Sequence, residues 1–129
     1  MTARISSKVK YGNVDLPVLF SKDPLVPKDC EKIELPPGDK KAIGLGIRDN
    51  KTILLIGETG TGKTSVVKEL AYLCKAPYFR VSMHGYSTPD ELIGRMAVKD
   101  GKTYFEYGIV TEAMTRGGFL VLDEINRIL

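Results

Sequence analysis

The stretch "TILLIGETGTGKTSVVKELAYLCK", residues 52 to 75, constrains this chain more than any other. It opens with "TILLIG" (52–57), a short and almost wholly apolar run. Such a run suits a strand buried on both faces of a parallel sheet. A glycine-rich loop follows, and then "SVVKELAYLCK" (65–75), where Val66, Val67, Leu70, Ala71 and Cys74 fall at helical spacing. Pro77 ends that helix by excluding Ala76 from the α region. Strand, glycine loop and helix in this order predict an α/β fold with a parallel sheet.

The loop "GETGTGKT" (57–64) matches the full eight-residue phosphate-binding pattern, in the strand-to-helix context that the pattern requires. Gly57, Gly60 and Gly62 let the backbone wrap phosphates without Cβ clashes. The N–H groups of residues 60 to 64 then point inward, helped by the helix N-terminus. Gly57, Glu58, Thr59, Gly60, Thr61, Gly62, Lys63, Thr64 and Ser65 are therefore the candidate nucleotide-binding residues. Lys63 is expected to reach the β- and γ-phosphate oxygens and to take part in catalysis, and Thr64 to offer its hydroxyl to Mg²⁺. The competing reading is a glycine-rich turn that only caps a helix.

"FLVLDE" (119–124) supplies the second half of such a site. A carboxylate at the C-terminal end of a buried strand lies at the ligand-binding edge of an α/β sheet. Asp123 is the expected Mg²⁺ residue, acting through water, and Glu124 the expected catalytic base that orients the attacking water. Alone, the pair also fits two exposed acids opening a helix, where negative charge is favourable. A GTPase would need a guanine-reading Asn-Lys-x-Asp downstream, yet the one "NK" is Asn50-Lys51, ahead of the loop. A small-molecule kinase would not need the Asp-Glu pair to activate water. The residues favour ATP hydrolysis.

The remaining punctuation organises the chain. Five of the seven prolines lie within the first 37 residues, so residues 14–39 read as extended segments and turns. "DKKAIGLGIRDNK" (39–51) reads as a short helix ending near Asp49-Asn50. "YFRVSM" (78–83) reads as a second strand and "FLVL" (119–122) as a third buried strand. "TPDE" (88–91) is a capping box with Pro89 at the first helical position. "RMAVKDGKTYFEY" (95–107) folds about Asp100-Gly101 as a hairpin, pairing Met96 with Phe105 and Arg95 with Glu106. "IVTEAMTR" then places Val110, Ala113 and Met114 on one helix face, with Glu112 and Arg116 paired at i,i+4. One interrupted helix thus carries a hairpin in its middle. The division drawn is a Pro-rich N-terminal segment, 1–51, and a partial nucleotide-binding domain, 52–129.

Composition narrows the class without naming a function. Apolar residues at 43% and charged residues at 27% fit a soluble globular chain. A net charge of +3 is too small to argue for nucleic acid. The basic start "MTARISSKVK" lacks the apolar core of a signal peptide, and no run approaches the roughly 20 apolar residues of a membrane span. Cys30 and Cys74 make no metal-type spacing, and a reducing cytoplasmic setting is the simplest expectation.

Taken together, "GETGTGKT", "TPDELIGR" (88–95), "FEYGIVTEAMTRGGFLVLDEINR" (105–127) and the hairpin within the helix resemble the AAA+ ATPases. More narrowly, they resemble the MoxR-like and dynein-related branch, whose helix-2 insert the hairpin matches. The resemblance covers roughly residues 50–129. It implies a P-loop NTPase three-layer sandwich with strands in the order 5-1-4-3-2, of which this chain supplies strands 1, 2 and 3. It implies ATP and Mg²⁺ as ligands and self-association into a ring, by resemblance a hexamer, that acts on a macromolecular client. Ser82 falls near where relatives carry a polar residue that restrains the catalytic glutamate, although an ordinary strand-end serine explains it as well. Asn126 and Arg127 match the branch's "DEINR" run. By resemblance the hairpin tip, Lys99 to Lys102, would face the ring pore or a partner, although a simply solvated hairpin explains it as well, and His84 reads as a loop residue.

Strand 4, strand 5, the arginine finger and the helical lid have no counterparts in the sequence. The chain is therefore expected to be completed by further polypeptide and to turn over little ATP alone, since a missing finger costs about 10³- to 10⁵-fold in rate. Two other functions fit the residues: a nucleotide-dependent regulatory module without sustained hydrolysis, and a DNA- or RNA-acting motor.

Overall fold

The computed structural model describes residues 7–56, 63–83 and 88–125. The chain divides into two compact units, Met1–Ala76 and Pro77–Leu129. The change in sequence character at 51/52 thus falls inside the first unit.

The first unit begins with an antiparallel hairpin that the sequence reading did not anticipate. Strand β1 (Lys8–Tyr11) pairs with β2 (Val14–Pro17), with Val9 opposite Leu16 and Tyr11 opposite Val14. Gly12 and Asn13 join them with φ of 58° and 61°, the positive pair that a two-residue hairpin turn requires. The signal was present as Gly-Asn between two alternating segments. Tyr11, Val14 and Leu16 are buried. Helix α1 (Pro37–Arg48) packs on this hairpin and starts two residues before the expected Asp39, because Pro37 suits a first helical turn. Its Gly44 approaches so closely that a Cβ there would sit 2.7 Å from the Tyr11 carbonyl oxygen.

Helix α2 (Lys63–Cys74) buries Val66, Leu70, Ala71 and Cys74, as the spacing predicted. It also buries Glu69, which the spacing did not predict; this carboxylate accepts a 3.4 Å bond from the Ile33 amide. The Pro-rich segment is extended at its start and tied to the end of α2. The Leu19 amide donates to the Cys74 carbonyl (2.8 Å), and the Ser21 amide to the Lys75 carbonyl (3.0 Å). Cys30 and Cys74 are both free thiols, and burial pushes the Cys74 thiol up to about 11.

The expected first strand is not formed. Residues 51–56 have no strand structure, and Leu54 and Ile56 are 70% and 87% exposed. The physical reason lies in pairing. A strand needs a hydrogen-bonded neighbour to satisfy its backbone groups, and none of the described residues pairs with this run. Apolar composition alone does not hold it extended and buried.

The second unit contains the expected parallel pairing. Strand β3 (Tyr78–Ser82) runs alongside the later strand Phe119–Asp123, from Tyr78 opposite Phe119 to Ser82 opposite Asp123. Among the described residues the parallel sheet is thus two-stranded, where three strands were expected. Between these strands the chain forms helix α3 (Pro89–Leu92), strands β4 (Gly94–Lys99) and β5 (Lys102–Tyr107), and helix α4 (Ile109–Arg116); Phe119–Asp123 is β6. Thr88 caps α3 by accepting from the Glu91 amide at 3.4 Å. The β4–β5 hairpin turns at Asp100-Gly101 in the predicted register, Met96 opposite Phe105 and Arg95 opposite Glu106, with a 3.4 Å ion pair between the latter two. Its base is closed where the Gly108 amide (3.0 Å) and the Thr111 hydroxyl (2.6 Å) both donate to the Ile93 carbonyl.

Helix α4 packs on β3, β5 and β6. Ala113 is buried, and Glu112 pairs with Arg116 at 3.7 Å as predicted. Met114 is 79% exposed, against the expectation that it shares the buried face. The 8-residue helix is covered only along the side that carries Ala113. Strand β6 is half-buried rather than buried, and Leu122 is exposed.

Candidate functional site

The described residues of the candidate phosphate loop belong to the first unit. Lys63, Thr64 and Ser65 form the first turn of α2 and are half-buried. Helix α2 is anchored by Val66, Leu70, Ala71 and Cys74 on its buried side, which fixes the direction of its N-terminal amides. Those amides and the helix dipole make this end receptive to anions. Gly57, Glu58, Thr59, Gly60, Thr61 and Gly62 lie outside the described residues, as do His84, Asn126 and Arg127.

The candidate acidic residues belong to the second unit. Asp123 is the last residue of β6, and Ser82, the last of β3, is its in-register partner. The Met83 amide donates to the Asp123 carbonyl at 2.8 Å, which extends the parallel pairing to the strand ends. Both carboxylate oxygens of Asp123 accept hydrogen bonds. The Arg80 guanidinium donates to Oδ2 at 2.6 Å, and the Glu124 amide to Oδ1 at 3.0 Å. Glu124 has φ of 55°, so the chain turns at the strand end, and its side chain is exposed. A non-glycine residue in the left-handed region stores local strain.

Electrostatics follow from this geometry. The hydrogen bond from Arg80 to Asp123 pushes the guanidinium pKa further above its ordinary value. Burial pushes the Tyr78 phenol up, and the Asp123 charge adds to that. Arg80 was not singled out from the sequence. The available signal was a lone cation inside "YFRVSM", on the strand face that ends in Ser82.

The donor chemistry suits a hard divalent cation. Asp123 carries carboxylate oxygens and, in the other unit, Thr64 carries a hydroxyl oxygen, each a ligand type that Mg²⁺ takes. Each carboxylate oxygen retains acceptor capacity beyond its one hydrogen bond. The described residues contain no cluster of three or more His, Cys, Asp or Glu side chains, and none of their helices is long and apolar enough to cross a membrane.

The profile of the AAA domain (dynein-related subfamily) matches residues 52–129, well over half of the chain and the segment that carries both motifs. This chain belongs to the dynein-related AAA family. Family membership carries a P-loop α/β fold and nucleotide binding, and AAA+ ATPases of the MoxR and dynein-related type are its relatives. The chain is 40% identical over 75 residues to midasin of Dictyostelium discoideum, across 57% of this chain and 1% of that protein. It is 36% identical over 92 residues to NorQ of Paracoccus denitrificans, across 70% of this chain and 34% of that protein. It is 33% identical over 73 residues to the denitrification regulatory protein NirQ of Stutzerimonas stutzeri, across 57% of this chain and 26% of that protein. The chain therefore spans about a third or less of each of these relatives. No solved structure matches it.

Proposed function

We propose that this AAA chain binds ATP with Mg²⁺ and, within a complete ring, hydrolyses ATP to remodel or translocate a macromolecular partner. The observation that carries this reading is the end of β6. Asp123 and Glu124 stand at the C-terminal edge of a parallel strand pair, where α/β sheets present ligand-binding groups. The same chain opens α2 with Lys63-Thr64-Ser65.

In this reading the amides of residues 60 to 64 cradle the phosphates, with Gly57, Glu58, Thr59, Gly60, Thr61, Gly62 and Ser65 shaping the loop. Lys63 neutralises the β- and γ-phosphate oxygens. The Thr64 hydroxyl and the Asp123 carboxylate would hold Mg²⁺, which supplies further neutralisation of phosphate charge. Glu124 accepts a proton from the attacking water and aligns it. Glu124 follows Asp123 directly at the turn that ends β6, so the two carboxylates are consecutive in the chain. Hexameric assembly, a cytoplasmic setting, residues 52–129 as a partial nucleotide-binding domain, the β4–β5 hairpin as the family's helix-2 insert and Lys99 to Lys102 as its client-facing tip complete the proposal. The test is phosphate release by the assembled protein: Glu124→Gln should retain ATP and stop turnover, and undiminished turnover would overturn the assignment of Glu124.

A second reading has one observation in its favour. The relative NirQ is named as a regulatory protein, which fits a module that binds nucleotide and changes shape without sustained hydrolysis. Steady turnover by the assembled protein excludes it.

A further inference from the structure

The Arg80–Asp123 ion pair places a positive charge on a residue that the proposed chemistry needs for a metal ion. Tyr78, Arg80 and Ser82 alternate onto one face of β3, and Phe119, Val121 and Asp123 share that face on β6. Arg80 is opposite Val121, so it reaches diagonally past the small Ser82 to the Asp123 carboxylate, 2.6 Å from Nη2 to Oδ2. The arginine side chain is 50% exposed and the aspartate side chain 26%. The pair is thus held in a defined geometry while remaining open to water and ions.

We propose that Arg80 is a positioning residue and resident counter-cation for Asp123, orienting its carboxylate and raising the divalent-cation concentration needed to occupy the site. This rests on the reading of Asp123 as the metal residue. Two effects of Arg80 oppose each other. Its hydrogen bond holds the carboxylate in one orientation, which favours metal binding. Its charge repels a divalent cation sharing the same carboxylate, which disfavours it. An exposed ion pair gains little from orientation. Repulsion between a unit charge and a doubly charged ion a few ångströms apart is larger even in a water-like dielectric, on the order of tenfold in affinity. Repulsion wins, and the site accepts metal only when nucleotide phosphates add their negative charge.

The test uses the 129-residue chain with a fluorescent ATP analogue and needs no turnover. Mn²⁺ binding is followed by electron paramagnetic resonance, and the Mg²⁺ concentration for half-maximal nucleotide binding by fluorescence. Arg80→Gln should lower both half-saturation concentrations by about tenfold, while Arg80→Lys, which keeps the charge, should stay within about twofold of the parent. A merely structural role predicts the opposite sign, since a loosened strand pair binds metal more weakly. Unchanged or weakened metal binding in Arg80→Gln overturns the proposal. Should that variant fail to fold, Arg80→Thr, suited to a strand, gives the same reading. Asp123→Asn separates the two claims. If it leaves metal dependence unchanged, the assignment of Asp123 falls and the proposal with it. If it weakens metal binding while the Arg80 variants do not move, only the role of Arg80 falls.

Discussion

Leu54 and Leu70 belong to the same compact unit and lie in opposite environments, 70% and 2% exposed. Leu70 sits on the buried side of α2 among Val66, Ala71 and Cys74. Leu54 precedes the phosphate loop in a run without strand structure. Leu70→Ala is expected to cost about 2–5 kcal/mol, the range for large-to-small core changes. Leu54→Ser is expected to cost no more than ~0.5 kcal/mol, as for an exposed site. Urea denaturation of the two variants checks both values, and equal costs would show that residues 52–56 are packed.

Tyr11 is buried beside α1, with the Lys40 ammonium 4.9 Å from its ring centroid, and its hydroxyl has no hydrogen-bond partner among the described residues. Burial, reinforced by the Glu69 charge, pushes the phenol from 10.0 up to about 12. The sign follows from which state loses its proton first. Between these values the folded chain keeps the proton that the unfolded chain has lost, so stability falls as pH rises from about 10 to about 12. The buried Cys74 thiol, pushed from 9.0 to about 11, adds a loss that begins lower. Tyr11→Phe removes one contribution together with the unpaired hydroxyl. It should match or exceed the parent's stability at pH 8, by up to about 1 kcal/mol, and show a shallower alkaline decline in melting temperature. An unchanged decline would contradict the shift assigned to Tyr11.

The β4–β5 hairpin depends on Gly101, whose φ is 76° and whose missing Cβ would meet open space. Its requirement is therefore conformational and not steric. Gly101→Val should destabilise the hairpin by about 1–2 kcal/mol, the cost of a left-handed backbone for an L-residue. Cross-strand nuclear Overhauser effects between Met96 and Phe105 should weaken in proportion. Full retention of those contacts would mean that the turn is held by something other than its two central residues.

These elements differ in how far the sequence announced them. The β4–β5 register was legible to the residue because Asp100-Gly101 fixes a two-residue turn. The face of α2 was legible from its spacing, since burial of a helix stripe is a local pattern. The strand expected at 52–57 was read from composition, and composition does not supply a hydrogen-bonded neighbour. The β1–β2 hairpin is carried by Gly12-Asn13, a positive-φ pair between two short alternating segments, and Pro17 at the end of β2 masks the strand pattern. The roles of Glu69 and Arg80 do not follow from pattern for one reason. Each is a charged side chain whose place depends on a distant partner, the Ile33 amide for one and Asp123 for the other. In the candidate site, Lys63, Thr64, Asp123 and Glu124 were named from motifs, while the ion pair that holds Asp123 came only from three-dimensional placement.

Ser82 offers a further check on the acidic half. It lies opposite Asp123 at the end of the parallel pair and is exposed, so Ser82→Ala should change stability by less than ~0.5 kcal/mol. If Ser82 restrains Glu124 during turnover, that variant should alter the rate of ATP hydrolysis in the assembled protein while leaving nucleotide affinity intact. An unchanged rate would leave Ser82 as an ordinary strand-end residue.

Nucleotide binding by the first turn of α2 is the central claim, and Lys63 is its most direct handle. Titration of the chain with a fluorescent ATP analogue in excess Mg²⁺ should give saturable binding. Lys63→Ala should weaken that binding at least tenfold with the fold retained, because it removes the cation placed to meet the phosphates. Equal affinity in the parent and in Lys63→Ala would contradict the account.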